Sequence, residues 1–70
     1  MMTKFELNNQ EYIELMKLLK FQGLVESGTE AKMVIDNGEV MVNGETELRR
    51  RCKIRTGSKV EYDGEVIEVV

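Results

Sequence analysis

The sequence predicts an α+β fold in which two short packed helices are followed by a small, mainly antiparallel sheet of short strands. Apolar residues recur at helical spacing in the first half, and Asn-Gly and Asp-Gly pairs mark hairpins in the second half. A chain of 70 residues has room for one domain, so we assign residues 1–70 to a single unit. Helices followed by strands are typical of the α+β class.

The first elements are predicted to be an edge strand and a helix. Apolar and polar residues alternate over 3–7, which favours a short strand. Asn8 followed by Glu11 has the spacing of a capping box, and apolar side chains at helical spacing follow. Gly23 is suited to end this helix in a left-handed conformation. We therefore predict a helix over 9–21.

The second helix has a clearer start. Ser27-Gly28-Thr29-Glu30 is a capping box, and Asn37-Gly38 is a typical helix stop. The loop between the two helices is short, so they are expected to pack together. The predicted buried face of the second helix consists of Ala31, Val34 and Ile35.

Two hairpins are predicted after the helices. Asn43-Gly44 is a strong turn signal, because both central residues of the preferred two-residue turn need a positive φ. Asp63-Gly64 marks the second turn, and a two-residue turn there fixes the strand register. The expected pairs are Tyr62 with Glu65, Val60 with Ile67, and Lys59 with Glu68.

A basic segment carries the main functional signal. Residues 49–59 hold six basic and no acidic side chains, although the whole chain has a net charge of −3. In an extended strand, alternate side chains point the same way at a spacing of ~6.6 Å. This predicts a cationic ridge made of Arg49, Arg51, Lys53 and Arg55. Arg50 is expected on the opposite face, unless a turn or bulge brings it round, and Cys52 and Ile54 are expected to point to the core.

Two interpretations of this cationic ridge are open. Arginine forks donate two parallel hydrogen bonds to phosphate, so the ridge could follow a nucleic-acid backbone. It could also be a solvated edge strand whose charges discourage aggregation. Ser27 and Lys32 at the start of the second helix allow anion binding or simple capping. Lys17 and Lys20 either extend the basic surface or pair with nearby acids.

The aromatic residues favour one class of ligand over another. Phe5, Tyr12, Phe21 and Tyr62 are scattered along the sequence, which disfavours single-strand binding by base stacking. Recognition of folded RNA by shape and phosphate contacts fits the composition better.

Composition argues against several other functions. The chain has no histidine and a single cysteine, Cys52, so we expect no enzyme activity, no metal, no cofactor and no disulfide. Cys52 is interpreted as a small buried residue rather than a reactive thiol activated by its basic neighbours. No apolar run is long enough to cross a bilayer. A cytoplasmic monomer is expected.

A set of glycines, small residues and apolar positions recurs over much of the chain, roughly residues 12–62. Its members are Leu18-Leu19, Gly23-Leu24, Ser27-Gly28, Ala31-Lys32, Ile35, Gly38, Val40, Val42-Asn43-Gly44, Lys53-Ile54, Gly57 and Val60. This pattern resembles the RNA-binding domain of ribosomal small-subunit protein S-four. The chain is most similar to the short stand-alone members, the YbcJ-like and YaaA-like bacterial proteins.

The resemblance implies an alpha-L RNA-binding fold and a role in translation, with ribosomal or transfer RNA as partner and possible association with the ribosome. One position departs from the larger family, which usually has Arg after the serine where this chain has Gly28. The implied RNA face consists of Ser27, Lys32, Asn43, Gly44, Arg49, Arg50, Arg51 and Lys53, to which the predicted ridge adds Arg55.

A protein-interaction module is the main alternative. Its basic strand would meet an acidic partner, or an open sheet edge would accept another strand. Partners that survive nuclease treatment in a pull-down would favour this alternative.

Overall fold

A computed structural model describes residues 2–70, so residue 1 of the predicted domain lies outside the described part. Two helices pack against each other, and the remaining chain forms a five-stranded sheet of order β1-β7-β6-β3-β4 and a two-stranded sheet of β2 and β5. The predicted α+β class with a mainly antiparallel sheet is confirmed. The elements are β1 (Met2–Phe5), β2 (Ile13–Glu14), α1 (Leu15–Phe21), α2 (Gly28–Asp36), β3 (Val40–Val42), β4 (Glu45–Thr46), β5 (Lys53–Ile54), β6 (Lys59–Tyr62) and β7 (Glu65–Val69).

The hairpin of β6 and β7 has the predicted register. Asp63 and Gly64 have φ values of 51° and 79°, the left-handed conformation that a two-residue turn requires. The three predicted pairs are all present, including Lys59 opposite Glu68. The turn residues and the apolar alternation were therefore sufficient to define this part of the sheet.

Strand β1 lies parallel to β7 at the edge of the sheet. It covers Met2–Phe5, so the predicted strand over 3–7 is correct in kind and slightly displaced. Leu7 lies beyond the strand and is buried in the core, and its N–H donates to the carbonyl of Val70 over 3.0 Å. The antiparallel sheet is thus extended by one parallel strand.

The predicted helix over 9–21 is wrong at its start, because α1 begins only at Leu15. Asn8 has a φ of 52° and forms part of a turn, so the predicted capping box with Glu11 does not form. The first donors of α1 are instead satisfied from a distant segment. The N–H groups of Leu15 and Met16 donate to the carbonyls of Cys52 and Arg50, over 2.9 and 3.1 Å. Such bonds satisfy the free N–H groups that every helix start leaves unpaired.

Helix α2 follows the prediction closely. The Ser27 hydroxyl accepts from the N–H of Glu30 over 3.2 Å, and the Glu30 carboxylate accepts from the N–H of Glu26 over 2.7 Å. The helix ends before Gly38, whose φ of 74° provides the left-handed stop.

The core lies where both helices meet the strands. Three residues of each helix are buried, including the predicted set on α2. Ile54 of β5 is 1% exposed and belongs to the same cluster, so the basic segment is anchored in the core at that residue. The fully buried large side chains are Leu15, Leu18, Leu19, Ile35, Val40, Ile54, Val60, Ile67 and Val69.

Candidate nucleic-acid interface

The basic segment does not form the predicted extended ridge. Arg50 and Arg51 form a turn closed by the N–H of Cys52, which donates to the Arg49 carbonyl over 3.2 Å. Only Lys53–Ile54 is a strand. The extended strand was wrong because residues 50–51 form a turn, and the carbonyls of Arg50 and Cys52 accept hydrogen bonds from the start of α1. Arg49, Arg51 and Lys53 nevertheless line one depression, as their alternation predicted. Ile54 is buried, as predicted, whereas Cys52 is only half-buried and lies just before the strand.

Arg49 is paired with a carboxylate just upstream. Its Nε donates to Oε2 of Glu47 over 2.9 Å, and its Nη2 donates to Oε1 over 3.1 Å. The hydrogen bonds from Arg49 lower the pKa of Glu47 to about 2. This bidentate pair fixes the direction of the Arg49 fork and offsets its charge.

Arg50 is paired with a carboxylate of α2. Its Nε donates to Oδ1 of Asp36 over 2.9 Å, and its Nη2 donates to Oδ2. The side-chain hydrogen bonds from Arg50 lower the pKa of Asp36, while Asp36 raises the pKa of Arg50. Arg50 lies in a turn, the alternative to the opposite face that the sequence left open, and its side chain connects this turn to the second helix.

Arg51 has no ion pair with a carboxylate within residues 2–70 and is exposed. It lines two adjoining depressions. One, of about 450 Å³, contains Lys32 of α2 together with Arg50, and the other, of about 350 Å³, contains Arg49 and Lys53. The structure therefore brings four other predicted site residues around Arg51. We call this set, Lys32, Arg49, Arg50, Arg51 and Lys53, the arginine-turn surface.

Lys53 and Arg55 share an aromatic neighbour. The Nζ of Lys53 lies 5.0 Å from the ring centroid of Tyr12, and the Cζ of Arg55 lies 5.6 Å from it. Both distances are within the range of a cation–π interaction. Sequence reasoning missed Tyr12, which it placed on the first helix. The pairing of β2 with β5 creates this contact, and neither strand is long enough to give a periodic signal.

The other predicted site residues have clear structural roles. Ser27 caps α2. Asn43 and Gly44 form the predicted hairpin turn, with φ values of 52° and 84°. The Oδ1 of Asn43 also accepts from the N–H of Lys59 over 2.9 Å, which ties the turn to β6. None of the three lines the two depressions around Arg51, so their place in an RNA face stays a prediction.

The structure also decides between the two interpretations of Lys17 and of Cys52. Lys17 pairs with Glu14, with 3.7 Å between Nζ and Oε1, which matches the surface-pair reading. Burial raises the pKa of the Cys52 thiol, and its Sγ donates to Oε1 of Glu47 over 3.5 Å. A raised pKa favours the unreactive thiol, as the interpretation of Cys52 as a packing residue requires.

Within residues 2–70, the acidic and thiol side chains form no group of three or more that could hold a metal ion. None of the helices in that part of the chain has the length and apolar character needed to span a membrane.

Comparison with known proteins gives consistent matches. The S4 domain family model matches residues 5–70. YbcJ of Escherichia coli (strain K12) is 44% identical over 69 residues, which is 99% of each chain. The solution structure of the E. coli protein, described as revealing an alpha-L motif involved in RNA binding, has a TM-score of 0.75 at 43% identity. It covers 96% of this chain and 85% of that one.

A more distant relative comes from Bacillus subtilis (strain 168). It is named as a probable ribosome maturation protein, RlbA, and is 39% identical over 54 residues, covering 77% of this chain and 76% of its own. The family match spans nearly the whole chain, and the fold match agrees with it. The predicted resemblance to the S-four-type domain is therefore confirmed, and this chain belongs to the S4 domain family.

Proposed function

We propose that this chain binds structured RNA, ribosomal or transfer RNA, through the arginine-turn surface, and that it does so without catalysing a reaction. Family membership and the RNA-binding motif described for the E. coli structure support the RNA-binding class. The observation that carries the assignment to this surface is Arg51, an exposed arginine without an ion pair in the described chain, with further cations on both sides.

The geometry suits phosphate better than base edges. Arg51 is free to offer its fork to a phosphate, and Lys32 and Lys53 provide further positive charge beside it. Arg49 and Arg50 are held by carboxylates, so a phosphate must compete with Glu47 and Asp36 for them. Cations gathered around a turn, rather than along a straight strand, fit an RNA backbone that bends.

Separate observations support the proposed lack of catalysis and the proposed association with the ribosome. The chain has no histidine, and its one thiol has a raised pKa, which removes two common catalytic groups. The name of the B. subtilis relative refers to ribosome maturation, and this favours an association with the ribosome. We accordingly propose that the protein acts as a monomer in the bacterial cytoplasm.

The test measures affinity against salt. Fluorescence anisotropy would follow labelled transfer RNA and protein-free ribosomal RNA binding to the protein in rising KCl. We expect log affinity to fall linearly with log salt, by ~0.7 to 0.9 per phosphate neutralised. Arg51→Ala should reduce the affinity about tenfold, because a charge-assisted hydrogen bond is lost, and should lower the slope by about one phosphate.

Lys4→Ala is the matched control, because Lys4 is an exposed cation on β1, at the sheet edge opposite β4. It should leave affinity and slope unchanged. Equal effects of the two substitutions would refute the arginine-turn surface. If partners captured by the protein persist after nuclease treatment and RNA does not bind, the protein-interaction alternative is favoured instead.

A further inference from the structure

A groove of about 540 Å³ lies beside the basic segment, and none of its lining residues belongs to the arginine-turn surface. Its walls include two aromatic residues, Tyr12 just before β2 and Phe21 at the end of α1. Phe21 is 67% exposed, although it is a large apolar side chain at the end of a helix. An exposed aromatic ring in a groove is a surface on which a nucleobase can stack.

The groove is connected to positive charge through Tyr12. The same ring that lines it lies 5.0 Å from the Nζ of Lys53 and 5.6 Å from the Cζ of Arg55. Neither cation has an ion pair with a carboxylate in the described part of the chain. A phosphate bound to these cations would therefore sit next to the groove.

The charged side chains that line the groove are two carboxylates and one ammonium group, those of Glu11, Glu14 and Lys17. Lys17 pairs with Glu14, so within residues 2–70 Glu11 is left as a carboxylate without an ion pair. Carboxylates repel phosphate and accept hydrogen bonds from the amino groups of bases. The groove is therefore suited to a base that has an exocyclic amino group.

We propose that this groove holds one unpaired nucleotide of the bound RNA, whose base stacks on Phe21 and whose phosphate is bound by Lys53 and Arg55. The bound base has an amino group directed to the carboxylate of Glu11. This inference rests on the proposed RNA-binding function and narrows its ligand to structured RNA with an unpaired nucleotide next to a helix. Such unstacked nucleotides are the usual targets of sequence-dependent RNA recognition.

The test uses three RNA hairpins with the same stem: one fully paired, one with a single bulged cytidine and one with a single bulged uridine. Only cytidine has the amino group, and the two pyrimidines are similar in size. Wild-type protein should bind the cytidine hairpin about fivefold or more tightly than the paired one, which is the effect expected of one stacked base. It should prefer cytidine over uridine.

Phe21→Ala should abolish the preference for the bulged hairpins and leave binding to the paired hairpin unchanged. Phe21→Trp should keep the preference, because the indole also stacks. Met33→Ala is the matched control, since Met33 is 58% exposed on α2 and lies outside the groove. It should keep the wild-type ratio, and a thermal melt would verify the fold of each variant.

The outcomes separate this inference from the proposed function. Equal binding of all three hairpins by wild-type protein overturns the groove assignment and leaves RNA binding intact. An unchanged ratio in Phe21→Ala also overturns it. Equal affinity for the two bulged hairpins overturns the amino-group assignment. Failure to bind any hairpin at low salt overturns both the inference and the function on which it rests.

Discussion

The two ends of the basic segment hold their cations differently. At Arg49 and Arg50, each guanidinium is bonded twice to a carboxylate, which fixes its direction and cancels much of its charge. At Lys53 and Arg55, both cations lie over the ring of Tyr12, which keeps them in place and leaves their charge available. Arg51 lies between the two and, among residues 2–70, has neither a carboxylate partner nor an aromatic ring beside it. The same residue type can therefore be preorganised by a carboxylate or left free for a ligand within a few positions.

The largest predicted loss of stability comes from Ile54, which anchors the basic segment in the core. Ile54 is 1% exposed and lies between the two cations on Tyr12. Ile54→Ala should lower the free energy of unfolding by about 2 to 5 kcal/mol, because it leaves a cavity in a tightly packed core. Urea denaturation would measure this. Thr56→Ala, at a nearby exposed position, should change the stability by less than about 0.5 kcal/mol, and an equal loss in both variants would contradict the anchoring role.

A smaller loss of stability is expected when the Tyr12 ring is removed. Tyr12→Leu removes the ring from beneath two cations, each worth ~0.5 to 1 kcal/mol at an exposed site. We expect a loss of about 1 to 2 kcal/mol in unfolding free energy by chemical denaturation. Tyr12→Phe keeps the ring and should be nearly neutral. A loss in Tyr12→Phe as large as that in Tyr12→Leu would mean that the hydroxyl group, rather than the ring, is what matters.

The stability that the Glu47–Arg49 pair contributes should depend on pH. The pKa of Glu47 is about 2 in the folded protein and has its ordinary value of 4.5 in the unfolded chain. A lowered pKa stabilises the folded state above pH 4.5, and this stabilisation is lost as the pH falls from 4.5 toward 2. Because solvent screens an exposed arginine partner, we expect the loss to be about 1 kcal/mol.

Glu47→Gln provides the comparison for this pH dependence. Its stability should be lower than that of the wild type at pH 7, and the two should converge as the pH falls toward 2. Thermal melts across this pH range would show it. If the difference in stability between the two proteins did not change with pH, the Glu47–Arg49 pair could not be the source of the pH dependence.

The smallest predicted effect is on RNA affinity, and it tests whether Asp36 offsets the charge of Arg50. Asp36→Asn frees Arg50 from its carboxylate and should raise RNA affinity about threefold at low salt, with a slope steeper by ~0.7 to 0.9. Asp63→Asn makes the same charge change on the β6–β7 turn, outside both depressions around Arg51, and should have no such effect. Weaker RNA binding by Asp36→Asn would show that the carboxylate is needed to direct the Arg50 fork.

Sequence reasoning succeeded where the determining forces are local. The Asp63-Gly64 turn, the alternation around it and the Ser27 cap act over a few residues, and each was predicted correctly. It failed at the start of α1, where a local signal at Asn8 lost to hydrogen bonds from Leu15 and Met16 to the carbonyls of a distant segment.

The same distant bonds explain why the site was only partly predicted. The identity of the cationic residues was evident in the sequence, and their arrangement only in part, because residues 50–51 form a turn and this segment accepts hydrogen bonds from α1. Asp36 and Tyr12 lie far from the segment in sequence, so no spacing rule connects them with Arg50 or Lys53. Contacts of this kind arise from the tertiary fold.

The most direct test of the account is an amide chemical-shift map of the protein titrated with transfer RNA. The arginine-turn surface predicts that the largest changes occur at residues 49–53 and at Lys32, with small changes along β1. The result that would contradict the account is a map centred on β1 and the adjacent β7, with residues 49–53 unaffected.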